Sequence, residues 1–243
     1  AQRQAAARRT NRVCGEARYE MVEHLMSALY ALEIDNCIVE VDAEERPGLD
    51  GSCREYALQL REAGLIVQAR AREQLAIGER FRIGSPEAWI EAAPAKKGES
   101  YFEYQLSFDD QTPINAQTYG IQLAPDRYLR EVASARTFVT EQQAEQIRGS
   151  GLASHVGNRD LLVIGKHGPI ENEYRFDTEC ARHKTLDLIG DLALSGVELI
   201  GRFTSYRGGH ALNGCMARQL AMLSGKSLAS TSCPNTDDHR EAA

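Results

Sequence analysis

Residues 21–32 (MVEHLMSALYAL) carry Val22, Leu25, Met26, Leu29 and Leu32 on one broad face, a spacing that predicts an amphipathic helix. Alternation over 37–41 predicts a strand, 46–51 (RPGLDG) a loop, and Ser52 the N-cap of a second helix over 54–63 that Gly64 ends. Residues 13–21 also read as strand-like. From Glu73 the period shortens to two: strands are expected at 75–83, 88–92, 101–108 and 119–123, with a turn at Lys96-Lys97-Gly98. Helices follow at 126–135 and 141–148, then a buried strand at 160–164. A long helix over 178–195, capped by Asp177 and stopped by Gly196, leads to a strand at 197–205 and a last helix at 211–224.

Runs of strands beside runs of helices indicate an α+β fold rather than a doubly wound sheet. The change of period near 70–74 places a domain boundary there. The helix, strand and helix before residue 70 are echoed after residue 177. That divides the chain into 1–72, 73–225 and a flexible tail over 226–243.

A net charge of -7 opposes a general nucleic-acid binder, which needs clustered Lys and Arg against phosphates. No apolar run approaches the roughly 20 residues that span a bilayer, and no secretory h-region opens the chain, so a soluble, cytoplasmic protein is expected. Residues 1–12 are Arg-rich and acid-free as in a transit peptide, but they read better as ordinary protein whose start precedes Ala1. Cys14, Cys37, Cys53, Cys180, Cys215 and Cys233 form no CxxC pair, which suits reduced, mostly buried thiols.

On the long helix His183, Asp187 and Asp191 lie one turn apart along one stripe beside Leu186, Leu188, Ile189, Leu192 and Leu194. His and Asp four apart is a metal-ligand spacing, although an exposed charged edge would show the same pattern. Glu23-His24 could add a third ligand and a neighbouring general base, as in zinc hydrolases, although a single His there could equally be a satisfied core or surface residue. In Gly208-Gly209-His210 the glycines permit positive φ and present an imidazole at a strand end, with Asp191 as an orienting partner. Lys184 and Arg207 could hold a phosphate or be solvated charges. His155, His167 and His239 read as surface residues.

Together VEHLMSALYALEIDN (22–36), DGS (50–52), SARTF (134–138), RHKTLDLIGDLALSG (182–196) and GGHALN (208–213) resemble the UDP-3-O-acyl-N-acetylglucosamine deacetylases of lipid A biosynthesis, in the family's order. The resemblance implies two similar α+β domains, each a helix layer packed on a small sheet, with the helices sandwiched between the sheets. It implies zinc, with Fe2+ as an alternative, on His24, His183 and Asp187, and Glu23 as general base. His210 would be the general acid or cationic stabiliser with Asp191 behind it, and Thr137 would steady the oxyanion. Phe108, Lys184 and Arg207 would contact substrate, Arg207 standing where many members carry Lys. Residues 149–172 depart from the family pattern.

Family members begin with additional strands, so the first domain is expected to be incomplete. The implied activity is hydrolysis of the N-acetyl amide by a monomer with no nucleic-acid partner and no integral membrane segment. A non-catalytic metal- or nucleotide-sugar-binding homologue, an inactive fragment, or a zinc amidohydrolase acting on another acetylated sugar are the alternatives.

Overall fold

A computed structural model describes residues 2–5, 9–14, 17–45, 47–96, 98–108, 112–149, 157 and 160–226. The chain opens on an antiparallel sheet of β1 (Gln2–Ala5), β2 (Thr10–Cys14) and β3 (Ala17–Tyr19), followed by α1 (Glu23–Ala31) and α2 (Arg54–Glu62). Then come β4 (Gln74–Ala76), β5 (Phe81–Gly84), β6 (Trp89–Ala93), β7 (Ser100–Leu106), β8 (Gln117–Gln122) and α3 (Pro125–Glu131). A parallel βαβ unit of β9 (Phe138–Thr140), α4 (Glu141–Gly149) and β10 (Leu162–Gly165) is edged by β11 (Gly168–Pro169). The chain continues through α5 (Glu179–Ala193), β12 (Glu198–Tyr206) and α6 (His210–Leu223). The fold is α+β.

The largest sheet runs β5-β6-β12-β7-β8, with β4 also on β12. Strand β12 is antiparallel to β6 and parallel to β7, aligning Tyr206 with both Trp89 and Gln105. Phe102 and Phe203 stack across that parallel pair at 5.3 Å between ring centroids, inside a core shared with Ile90, Ile121, Leu186, Leu188, Ile189 and Leu192. Helix α5 is buried along almost its whole length, because it meets α1 on one side and β7 and β8 on another. Thr185 Oγ1 reaches the Tyr119 carbonyl of β8 at 3.4 Å, while Gly190 faces α1. A second buried link ties the helices: Tyr128 Oη lies 2.7 Å from Ser27 Oγ and 2.8 Å from Cys53 Sγ. Burial pushes the Cys53 and Cys180 thiols up to about 12, so both are inert packing residues.

Several expected elements differ. No strand forms at 37–41: Ile38 is 92% exposed, Val39 and Val41 are exposed as well, and the segment has no ladder partner among the described residues. Leu65, Ile66 and Val67 are likewise exposed, and beside these two stretches Asn36 Nδ2 donates to Gln68 Oε1 at 2.7 Å. Alternation sets backbone conformation, but a strand also needs an edge to pair with. The expected strand over 75–83 is two, β4 and β5, directed to different partners. Cys53 rather than Ser52 caps α2, and Thr178 rather than Asp177 caps α5. The helix expected over 126–135 ends at Glu131, and Leu194 is half-buried. Strands β1, β9 and β11 lie outside the segments expected to be strands. Arg46, Lys97, His155, Cys233, His239 and the tail over 227–243 lie outside the described residues.

Gly190 decides how closely α1 and α5 approach. A Cβ there would lie 2.0 Å from the Glu23 carbonyl oxygen and 2.8 Å from its carbon. In an open helix, replacing Gly by Ala stabilises by about 1 kcal/mol. Here the sign reverses: Gly190→Ala should destabilise by about 3 kcal/mol or more in urea unfolding, as overpacking against backbone does. A variant as stable as the parent would mean the two helices can separate freely.

Candidate metal centre

The Gly190 crossing brings the start of α1 against the middle of α5, and with it His24 against His183 and Asp187. One ligand atom from each lies within 4.8 Å of the others. His24 Nε2 is 3.7 Å and His183 Nε2 3.4 Å from Asp187 Oδ1, and the two imidazoles meet edge to face at 5.1 Å. All three residues are buried, so the stripe on α5 is not an exposed charged edge.

Asp187 Oδ1 is buried with no hydrogen-bond partner, which ordinarily costs about 1–3 kcal/mol. Burial alone would raise this carboxyl, but the positive potential of His183, His210, Lys184 and His24 holds it well below the usual carboxylate range. His183 is pulled down by burial, and its Nδ1 lies 3.1 Å from the Ala135 carbonyl, a partner that only an N–H can satisfy. That contact turns Nε2 toward Asp187. Two imidazole nitrogens and an orphaned carboxylate oxygen fit Zn2+ with an open coordination position, and Fe2+ by the same donor chemistry.

Beside this set lies a second buried group. Glu23, in the first turn of α1, is pushed up to about 7 by burial, against the lowering effect of His210 and with the charges of Asp191 and Asp187 adding to the rise. Burial would lower His210, yet the charge and hydrogen bond of Asp191, with Glu23 and Asp187, carry it up to about 9. His210 Nδ1 is 2.8 Å from Asp191 Oδ2, and its Nε2 is 3.9 Å from Asp187 Oδ2. His210 is the first residue of α6 rather than a turn residue, and positive φ is not what its glycines supply: Gly209 has φ -131°. A Cβ on Gly208 would sit 2.3 Å from Ser205 Oγ, so a larger residue there would force that hydroxyl to turn; the Gly208 carbonyl accepts from the Tyr104 hydroxyl. The positive φ falls instead on Arg207, at 50°.

Thr137 Oγ1 lies 3.2 Å from His183 Nε2 and 3.0 Å from the Gly51 carbonyl, so its hydroxyl borders the ligand set. Lys184 Nζ is 3.7 Å from Asp187 Oδ2. Arg207 follows β12, its N–H bonded to the Gln105 carbonyl, and Phe108 lies half-buried just past the end of neighbouring β7. His167 is exposed, as expected.

Other residues of the site were not anticipated. Thr10 and Asn213 contact Asp191, and a buried ion pair joins Arg136 to Glu179. The Arg136 fork meets Glu179 with Nε–Oε1 at 2.8 Å and Nη2–Oε2 at 3.1 Å, while Nη1 donates to Asn172 Oδ1 at 2.7 Å. It thereby fastens the segment carrying Ala135 and Thr137 to the first turn of α5. Asn213 and Arg136 both lie inside the quoted motifs, where a polar residue amid apolar neighbours was the available signal.

The family model for UDP-3-O-acyl N-acetylglycosamine deacetylase (LpxC) matches residues 2–222. Proteins named UDP-3-O-acyl-N-acetylglucosamine deacetylase from Brucella ovis, Brucella canis and Brucella suis are each 38% identical to this chain over 200 residues. The match covers 82% of this chain and 69% of each relative.

A cation beside Asp187 should stabilise the fold. Protein stripped by chelation and titrated with Zn2+ is expected to gain about 4 kcal/mol when free metal exceeds Kd a thousandfold. Asp187→Asn should forfeit most of that gain in calorimetry. An undiminished gain would place the metal elsewhere.

Proposed function

Because the chain belongs to the UDP-3-O-acyl N-acetylglycosamine deacetylase family, we propose that it hydrolyses the N-acetyl amide of UDP-3-O-acyl-N-acetylglucosamine, releasing acetate and a free amine, as the committed step of lipid A biosynthesis. The observation that carries this reading is the orphaned Asp187 Oδ1 held between His24 and His183, with the Glu23 carboxyl on the neighbouring residue. His24, His183 and Asp187 would hold the metal. Zinc bound there supplies Lewis acidity, lowering the pKa of water and polarising a carbonyl.

The remaining chemistry belongs to side chains. Glu23, with a pKa of about 7, is close to evenly poised at neutral pH and takes a proton from the attacking water. The water oxygen bonds to the acetyl carbon, and the Thr137 hydroxyl turns from the Gly51 carbonyl to the developing oxyanion. His210, protonated below about pH 9, offers positive charge and a proton to the departing amine nitrogen as the C–N bond breaks. Asp191 holds its Nδ1 side. Lys184 and Arg207 take the diphosphate, Arg207 with a planar fork where an ammonium would be a point charge. Phe108 packs against the substrate.

We place the enzyme in the cytoplasm as a monomer. Among the described residues no helix is long and apolar enough to cross a membrane.

Acetate release should vanish on chelation and return with zinc. Glu23→Gln should retain metal and lose roughly 10²- to 10⁴-fold in kcat, whereas His183→Ala should lose both metal and turnover. Zinc-dependent turnover by His183→Ala would sink the ligand assignment, and a zinc-loaded parent that releases no acetate would sink the deacetylase reading.

A further inference from the structure

Thr10, the first residue of β2, is fully buried, and three side chains of the site converge on it. Its N–H donates to Glu23 Oε2 at 3.0 Å, and its carbonyl accepts from the Val22 N–H at 3.1 Å. Its hydroxyl donates to Asp191 Oδ1 at 2.5 Å, and the same oxygen lies 3.3 Å from His210 Nδ1. The backbone of one residue therefore steadies the carboxyl at the start of α1, while its side chain reaches the carboxylate on α5.

The donors around Asp191 are divided between its two oxygens. Oδ1 takes the Thr10 hydroxyl from β2, while Oδ2 takes His210 Nδ1 at 2.8 Å and Asn213 Nδ2 at 3.0 Å, both from α6. Donors arriving from two different elements fix the plane of the carboxylate, because rotation of that plane would break bonds on both sides. A fixed plane aims Oδ2 at Nδ1 and so turns Nε2 of the same ring toward Asp187. With the hydroxyl gone, Oδ1 would be a buried anionic oxygen without its donor, and the carboxylate would swing to find another.

We propose that Thr10 is a positioning residue whose hydroxyl sets the rotation of Asp191, and through it the orientation in which His210 presents Nε2 to the ligand set. The inference rests on the deacetylase reading for its effect on turnover, but its structural content stands on the hydrogen bonds alone. Thr10 touches none of His24, His183 and Asp187, so metal binding should be spared.

The test uses the zinc-loaded full chain. Thr10→Val keeps the shape and strips the hydroxyl, Thr10→Ala strips it with less bulk, and Thr10→Ser restores it. Steady-state kinetics should show kcat lowered roughly 10- to 100-fold in the Val and Ala variants. KM should stay within about twofold, a loss confined to the transition state. Metal content should be unchanged, and Ser should recover most of the rate. Imidazole 15N–1H spectra at one fixed pH should show the His210 Nδ1–H resonance displaced in Val and Ala and returned in Ser.

Full activity in Val, a Ser variant as impaired as Val, a loss that tracks zinc content, or disagreement between Val and Ala would each overturn the proposal. If the parent releases no acetate, the deacetylase reading fails by itself. The His210 resonance then decides for Thr10: displaced by Val and returned by Ser it stands, unmoved it falls.

Discussion

The backbone contact between α1 and α5 at Gly190 is the constraint on which the site depends. Two helices that met through larger side chains would stand apart by the usual 8–10 Å between axes. His24 and His183 could then not meet edge to face, nor could both reach one oxygen of Asp187. The glycine costs helix propensity in the middle of α5, and the surrounding core of Leu186, Leu188, Ile189 and Leu192 offsets it. Packing, propensity and chemistry thus meet at one missing methyl group.

The same closeness separates the acids. Glu23 and Asp187 are both buried carboxyls, yet one is driven up and the other down. Asp187 sits among the histidines with Lys184 behind it, whereas Glu23 has mainly burial acting on it and two other carboxylates nearby. A pair of acids with divergent environments is how one protein keeps a fixed anion beside a proton acceptor. His210, raised by Asp191, completes the division.

Much of this was legible because the relevant spacings are local. His183, Asp187 and Asp191 recur at one turn of α5, and Glu23-His24 opens a helix whose apolar face was plain. Their convergence was carried by the family motifs rather than by any period, since 158 residues lie between His24 and His183 in sequence. What stayed hidden depends on partners. The 37–41 segment has strand alternation but no edge to pair with among the described residues, and Thr10 carries no signal within RRTNR until β2 brings it beside Asp191. Arg136 and Glu179 carried no assignment from the sequence, because a buried fork is visible only when both ends are placed. At Gly208 the structure shows a close approach to the Ser205 hydroxyl and no positive φ, a difference that a sequence does not reveal.

The strand order carries a consequence for biosynthesis. Strands β6 and β7 are successive in the chain, but β12 lies between them. Strand β12 is the only ladder among the described residues that joins the β5-β6 pair to the β7-β8 pair, so without it each pair keeps an unpaired edge. Residues 198–206 form that strand, and His210 follows four residues behind. The residue that carries the imidazole is thus synthesised after the strand that joins the sheet. A chain that stops short of residue 198 would therefore present two strand edges open to pairing with other chains, and would lack the imidazole of the site.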